Sequence, residues 1–131
     1  MQQLEDKRSI GSGNVHIQLL NKGVIEEHTL RPSIHAMKTL SRRYGGLNEV
    51  INKIGKLDFD AVAEVIELGI GAPPTPKSRD ELAAKLYETG FTDDTGGLPT
   101  LCINYVLTLL RGGRPPNPNG EDTTEGNPPR A

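Results

Sequence analysis

The sequence predicts an α+β domain, with an N-terminal β-hairpin followed by a bundle of about five short helices. Residues 15–19 alternate apolar and polar side chains and lead into a turn-forming segment at 21–23, which predicts the first strand and the turn of a β-hairpin. Residues 33–111 carry apolar side chains at helical spacing, interrupted by glycine and proline. The pattern stops at Arg111-Gly112-Gly113, which predicts where the folded part ends.

The chain of 131 residues divides into three segments by composition. Residues 1–14 are charged and then Gly-Ser-Gly, which predicts a flexible arm. Residues 15–113 form the predicted domain, a size that suits one hydrophobic core. Residues 114–131 hold five of the ten prolines and no apolar residue except Ala131, so we expect a disordered tail.

The predicted hairpin begins with Val15, Ile17 and Leu19, which point to one face of a strand. Residues 21–23, Asn-Lys-Gly, supply the turn. We predict a three-residue loop, because that register pairs Leu19 with Ile25 and keeps the apolar side chains together. A two-residue loop would separate Ile25 from the others.

The same register places His16 opposite His28, a spacing that could hold a metal ion. His35 is the third histidine of the chain, and neither a nearby cysteine nor an acidic cluster completes a coordination shell. We therefore interpret these histidines as solvated and expect no metal.

Three helices are predicted after the hairpin, and each has a start or stop signal. The first runs from Ser33, a potential N-cap, to Tyr44 and ends at Gly45-Gly46. The second begins at Leu47 and closes at Gly55. The third begins near Asp58, another potential N-cap, and ends in residues 69–74. Its predicted apolar stripe comprises Phe59, Val62, Ala63, Ile66 and Ile70.

Two further helices follow a proline-rich linker. Ser78 and Glu81 fit a capping box, which predicts a helix that starts at Ser78 and ends at Gly90. The last helix, from about Pro99 to Arg111, is apolar on nearly all sides. Such a helix is either central in the core or buried against another molecule.

Composition and motifs argue against several functions. The formal net charge of −2 does not favour general affinity for nucleic acid or anionic membranes. No apolar run reaches the roughly 18 residues of a membrane span, and the polar start lacks a signal peptide's apolar stretch, so we expect a cytoplasmic protein.

The glycine pairs fail the phosphate-loop and dinucleotide patterns. Cys102 lies in an apolar run and is interpreted as a small buried hydrophobe. We expect no enzyme and no cofactor.

Charge is nevertheless divided along the chain. Residues 31–56 contain six basic side chains and one acidic side chain, whereas residues 58–94 contain three basic and nine acidic ones. Either these are two solvated faces, or they allow copies to bind head to tail or to dock an acidic partner. The candidate partner-binding residues are four basic and four apolar ones: Arg31, Lys38, Arg42, Arg43, Leu82, Leu86, Tyr105 and Leu109.

A helix-turn-helix regulator that binds DNA is an alternative to a protein-binding function. The two helices around Gly45-Gly46 have the required order. The exposed residues of the second would be Asn48, Glu49, Asn52, Lys53 and Lys56, which offers asparagines for base edges but no arginine. The same helix carries the repelling Glu49, and the acidic back half of the chain also opposes DNA binding. We therefore do not prefer this interpretation.

Four stretches carry a resemblance to a known family: VHIQLL at 15–20, TLRPSIHAMKTLSRRYGGL at 29–47, DAVAEVIELGI at 60–70 and LLRGG at 109–113. Together they resemble the gene-transfer-agent type of phage tail assembly chaperone, found with long non-contractile tails. The likeness covers about residues 15–113. It consists of helix-packing patterns and glycine stops, without a catalytic signature.

The resemblance implies a protein that acts in the host cytoplasm during tail assembly and is absent from the finished particle. It implies binding to the tape-measure protein, whose long apolar helices it keeps soluble, and recruitment of tail-tube subunits. We also expect self-association into a ring or spiral. A structural tail or tail-completion protein that stays in the virion is the alternative within the same setting.

Overall fold

The structure, a computed structural model, describes residues 13–92 and 97–115 and confirms the α+β layout. A two-stranded antiparallel hairpin is followed by five helices in this part of the chain. The elements are β1 (Val15–Asn21), β2 (Val24–Leu30), α1 (Ile34–Tyr44), α2 (Leu47–Gly55), α3 (Phe59–Ile70), α4 (Pro76–Thr89) and α5 (Gly97–Leu110). The predicted arm before residue 13 and the predicted tail after residue 115 lie outside the described residues.

Helix α5 lies at the centre of the domain. It contacts β1, α2 and α3, while α4 packs on β1 and α3, and α1 packs on α2 and α3. Tyr105 and Val106 of α5 are fully buried, as is Cys102, which confirms its prediction as a buried hydrophobe. Among the elements described, no helix is long and apolar enough to cross a membrane.

The hairpin register differs from the prediction. Asn21 pairs with Val24, so the loop has two residues, Lys22 and Gly23. Both have positive φ angles, 54° and 84°, as a type I′ turn requires. Leu19 consequently faces Glu26, and Ile25 lies on the outer face opposite Leu20, where it is 60% exposed. The three-residue loop was wrong because apolar grouping within the hairpin does not set this register.

The predicted opposition of His16 and His28 is also wrong. His16 pairs with Thr29 and His28 pairs with Ile17, so the two imidazoles lie on opposite faces of the hairpin. A shift of one residue in register is sufficient for this change, because side chains alternate between faces.

Two of the three predicted N-caps are confirmed. The Ser33 hydroxyl accepts a hydrogen bond from the Ala36 amide at 3.0 Å, and the Asp58 carboxylate accepts from the Ala61 amide at 3.1 Å. The predicted capping box of α4 is wrong. The Thr75 hydroxyl caps α4 by accepting from the Ser78 amide at 3.2 Å, and Pro76 occupies the first turn. Ser78 therefore lies inside the helix.

The buried side of α3 overlaps only in part with the predicted stripe. Val62 and Ile66 are buried as expected, whereas Phe59 is exposed and stacks on Phe91 with ring centroids 5.5 Å apart. Gly69 lies inside α3 rather than stopping it, because Gly71 forms the left-handed C-cap. An added Cβ at Gly69 would lie 2.8 Å from the Leu30 Cβ, so glycine is needed there for close approach of β2.

Candidate protein-binding surface

A groove of about 700 Å³ lies between α1, the start of α2 and the end of α5. Met37, Lys38 and Arg42 of α1 line one side, and Leu47 and Leu110 line the others. We call this the α1–α5 groove. It forms where α1 ends and the chain reverses into α2.

Local sequence produces that reversal. The amides of Gly45 and Gly46 both donate to the Ser41 carbonyl, at 3.0 and 2.9 Å, which closes the C-terminus of α1. Both glycines have positive φ angles, 79° and 123°, which other residues rarely adopt. The Gly45-Gly46 pair predicts this turn from sequence, whereas no sequence pattern indicates the groove beside it.

Part of the groove lining is apolar and accessible to a partner. Leu110 is 53% exposed, and Met37 is half-buried beside it. A second depression, of about 220 Å³, also includes Met37 and continues to Ile34, which is 72% exposed. The apolar strip therefore runs from Ile34 through Met37 to Leu110. Contiguous apolar surface of this kind is typical of protein-binding sites.

The rim of the groove favours negative charge. Lys38 and Arg42 are exposed and lie one helical turn apart, and neither makes a hydrogen bond or ion pair with any described residue. The N-cap of α2, Gly46, offers no side-chain acceptor, so the positive end of that helix dipole also faces the groove. Glu49 is the carboxylate among the lining residues, which leaves two cations against one anion.

The other two predicted basic residues do not join this rim. Arg43 forms an ion pair with Glu64 of α3, and the Tyr44 hydroxyl donates to the same carboxylate at 3.0 Å. Burial, and then the hydrogen bond to Glu64, raise the pKa of Tyr44. Arg31 is exposed between β2 and α1, where its backbone amide donates to Gly69 at 2.9 Å. The structure thus brings together Lys38 and Arg42 only.

The four predicted apolar binding residues belong to the core, so as a partner surface they were wrong. Leu82 and Leu86 of α4 are buried against the rest of the domain, and so are Tyr105 and Leu109 of α5. The Tyr105 hydroxyl donates to the Arg31 carbonyl at 2.7 Å, which fixes α5 beneath the end of β2. Sequence reasoning missed Leu110 because α5 is apolar on all sides and shows no periodicity that separates core from surface.

The edge of β1 that does not pair with β2 borders a cavity of about 750 Å³. In an antiparallel pair every second amide points outward. The Leu20 amide is one of them, and it donates to the Thr89 hydroxyl at 2.7 Å. The outward amides of His16 and Gln18 have no partner among the described residues. Because Thr89 of α4 covers the β1 edge at Leu20, the part of this edge that could pair with another strand is short.

Two glutamates attach the hairpin to α4. Glu88 accepts hydrogen bonds from the turn amides of Lys22 and Gly23, at 2.8 and 2.7 Å. Glu26 accepts from Asn21 at 2.7 Å and lies 3.0 Å from the Lys85 ammonium. The Asn21 hydrogen bond, followed by the bonds to Lys85 and His28, lowers the pKa of Glu26 to about 2. These groups are all satisfied within the fold, so they serve structure rather than a ligand.

The cysteine thiol and the metal-ligating side chains of the described residues do not form a competing site. Burial raises the pKa of the Cys102 thiol to about 12, which disfavours the thiolate. Within residues 13–92 and 97–115, no group of three or more histidine, cysteine, aspartate or glutamate side chains could hold a metal ion. The α1–α5 groove is therefore the feature that best fits a function in this part of the chain.

Comparisons of the chain with known protein families, with curated proteins and with solved structures found no match. The groove offers apolar contact area and a basic rim that is unpaired within residues 13–92 and 97–115, which is the chemistry of protein recognition.

Proposed function

We propose that the protein is a phage tail assembly chaperone that binds helical segments of the tape-measure protein in the α1–α5 groove. The observation that carries the proposal is the exposed strip from Ile34 through Met37 to Leu110, bordered by Lys38 and Arg42, which pair with no other residue in the described part of the chain. The resemblance of residues 15–113 to tail assembly chaperones supplies the biological setting.

The groove suits an amphipathic helix. Helix α1 has 11 residues and is therefore about 16 Å long, which matches about three turns of a client helix laid beside it. The apolar stripe of the client would cover Ile34, Met37 and Leu110. Met37 can adapt to different client side chains, because methionine is unbranched and flexible. Acidic client residues beside the stripe would meet Lys38 and Arg42.

A small groove also suits the temporary binding that a chaperone needs. Contacts of limited area give weak and exchangeable complexes. In this proposal the protein acts in the host cytoplasm, without catalysis and without a cofactor.

Co-expression with the tape-measure protein, followed by pull-down and light scattering, tests the proposal. We expect a soluble complex that contains several copies of this chain. Leu110→Asp should weaken the complex by at least about tenfold, because a carboxylate buried in an apolar contact costs more than about 1.4 kcal/mol.

Leu57→Asp is the matched control. Leu57 is 52% exposed, almost as much as Leu110, but it follows the opposite end of α2 from the groove. This variant should bind the client as well as the wild-type protein does. Equal loss of binding in both variants would contradict the assignment of the groove.

Two outcomes would replace the proposed function. Absence of a complex, with the chain found by mass spectrometry in purified particles, would indicate a structural tail or tail-completion protein. Absence of a complex, with salt-dependent binding to duplex DNA, would indicate the helix-turn-helix regulator.

A further inference from the structure

We infer that in the absence of client the α1–α5 groove holds helix α4 of a second copy, so that copies associate head to tail. The inference rests on the proposed function only in treating the groove as a protein-binding site. It names the occupant of the groove in the free protein, and it makes self-association and client binding alternatives.

The outer face of α4 carries exposed acidic side chains, which complement the basic rim of the groove. Asp80 and Glu81 are exposed, and neither makes an ion pair or hydrogen bond with the part of the chain that the structure describes. Ala84 and Tyr87 continue this face at helical spacing, and Tyr87 is 86% exposed. The opposite face of α4 packs on the core through Leu82 and Leu86.

Internal contacts determine which charges of α4 remain available. Arg79 is paired with Glu67 at 3.2 Å, and Lys85 is paired with Glu26 at 3.0 Å. Glu88 is bound to the hairpin turn. The charges left on α4 are therefore two carboxylates, Asp80 and Glu81, with Lys77 in the first turn. This face is net negative, whereas the groove is net positive.

The apolar contacts are also complementary. Tyr87 is a large side chain with few rotatable bonds, so it loses little entropy when it is fixed against Met37 and Leu110. Ala84, one turn earlier, allows the two helices to approach closely. Charge pairs between Asp80 or Glu81 and Lys38 or Arg42 would set the direction of the helix in the groove.

The two surfaces belong to different sides of the domain. The groove is lined by α1, α2 and α5, and no described residue of α4 is among its lining residues. Helix α4 instead packs on β1 and α3. Contact between the groove of one copy and α4 of another uses different surfaces on the two partners. Such a contact repeats and produces a ring or an open spiral.

Charge reversal tests this contact in analytical ultracentrifugation of the full chain without client. Wild-type protein should associate with rising concentration. K38E/R42E and D80K/E81K should each lower the association constant by at least about tenfold, since each variant faces like charges across the contact. Circular dichroism should show unchanged helix content.

Recombining the reversed surfaces gives the sharper result. A mixture of K38E/R42E with D80K/E81K should associate, because each groove then meets an α4 of opposite charge. The chain that carries all four substitutions should also associate by itself. K53E/K56E is the matched control for K38E/R42E, because it makes the same change in net charge at exposed positions outside the groove lining. It should associate as the wild type does.

The inference fails if the wild type is monomeric at every concentration, if neither reversal weakens association, or if the mixture does not restore it. Failure of the proposed function is a separate result, because D80K/E81K keeps the groove intact. If D80K/E81K is monomeric and still binds the tape-measure protein, both proposals are supported. If it is monomeric and binds no client, the self-contact stands and the chaperone function fails.

Discussion

Single side chains decide how the hairpin attaches to the helices. Glu26 gathers Asn21, His28 and Lys85 around one carboxylate, and so connects β1, β2 and α4. Because its partners stabilise the ionised form, the pKa of Glu26 falls from 4.5 to about 2. A carboxyl group whose pKa is lowered by folding stabilises the native state only while it is ionised.

Stability should therefore depend on the ionisation of Glu26. Its contribution is fully present above pH 4.5, the unfolded value, and is lost as the pH falls towards 2. The urea midpoint of wild type should exceed that of Glu26→Gln above pH 4.5, and the difference should shrink below it. Glu27→Gln is the control, since Glu27 is exposed and accepts a long hydrogen bond from Gln18, at 3.4 Å. A difference that stays constant down to pH 2 would contradict the prediction.

At the scale of elements, local signals predicted most boundaries. Ser33 and Asp58 cap α1 and α3, and Gly45, Gly71 and Gly90 follow the ends of α1, α3 and α4. These signals act over a few residues, so they can be read without the fold. The α4 start was misassigned because two polar residues, Thr75 and Ser78, both fit a cap, and the proline between them favours the earlier one.

The two candidates for the α4 cap can be separated by alanine substitution. Thr75→Ala should lower the free energy of unfolding by about 1 kcal/mol, because the Ser78 amide loses its acceptor. Ser78→Ala should change it by less than about 0.5 kcal/mol, because Ser78 lies within the helix. Chemical denaturation of both variants gives the comparison. A larger loss in Ser78→Ala would restore the capping box.

At the scale of the whole molecule, α5 shows how packing separates adjacent residues. Leu109 is 4% exposed and belongs to the core, whereas Leu110 is 53% exposed and lines the groove. In the sequence, Leu109 and Leu110 belong to one helix that is apolar on nearly all sides, and the prediction placed Leu109 in the partner-binding surface. Three other chosen residues, Leu82, Leu86 and Tyr105, are likewise core. The surface of the groove could be identified only after the core had been placed.

Substitution of these neighbours should give opposite results. Leu109→Asp should unfold the domain, because an unpaired carboxylate in the core costs several kcal/mol. Leu110→Asp should shift the free energy of unfolding by less than about 0.5 kcal/mol, as is usual for exposed positions. Thermal melts followed by circular dichroism distinguish the two. A folded Leu109→Asp variant would show that α5 is not held as described.

The sequence by itself determined the α+β class, the order of a hairpin and five helices, most helix ends and the basic character of α1. These properties depend on periodicity, caps and composition, which are local. The tertiary structure alone decided the hairpin register. In that register Glu88 of α4, which is distant in sequence, accepts hydrogen bonds from the turn amides of Lys22 and Gly23. It also decided which charges stay unpaired and which apolar residues reach the surface, because those depend on contacts between distant residues.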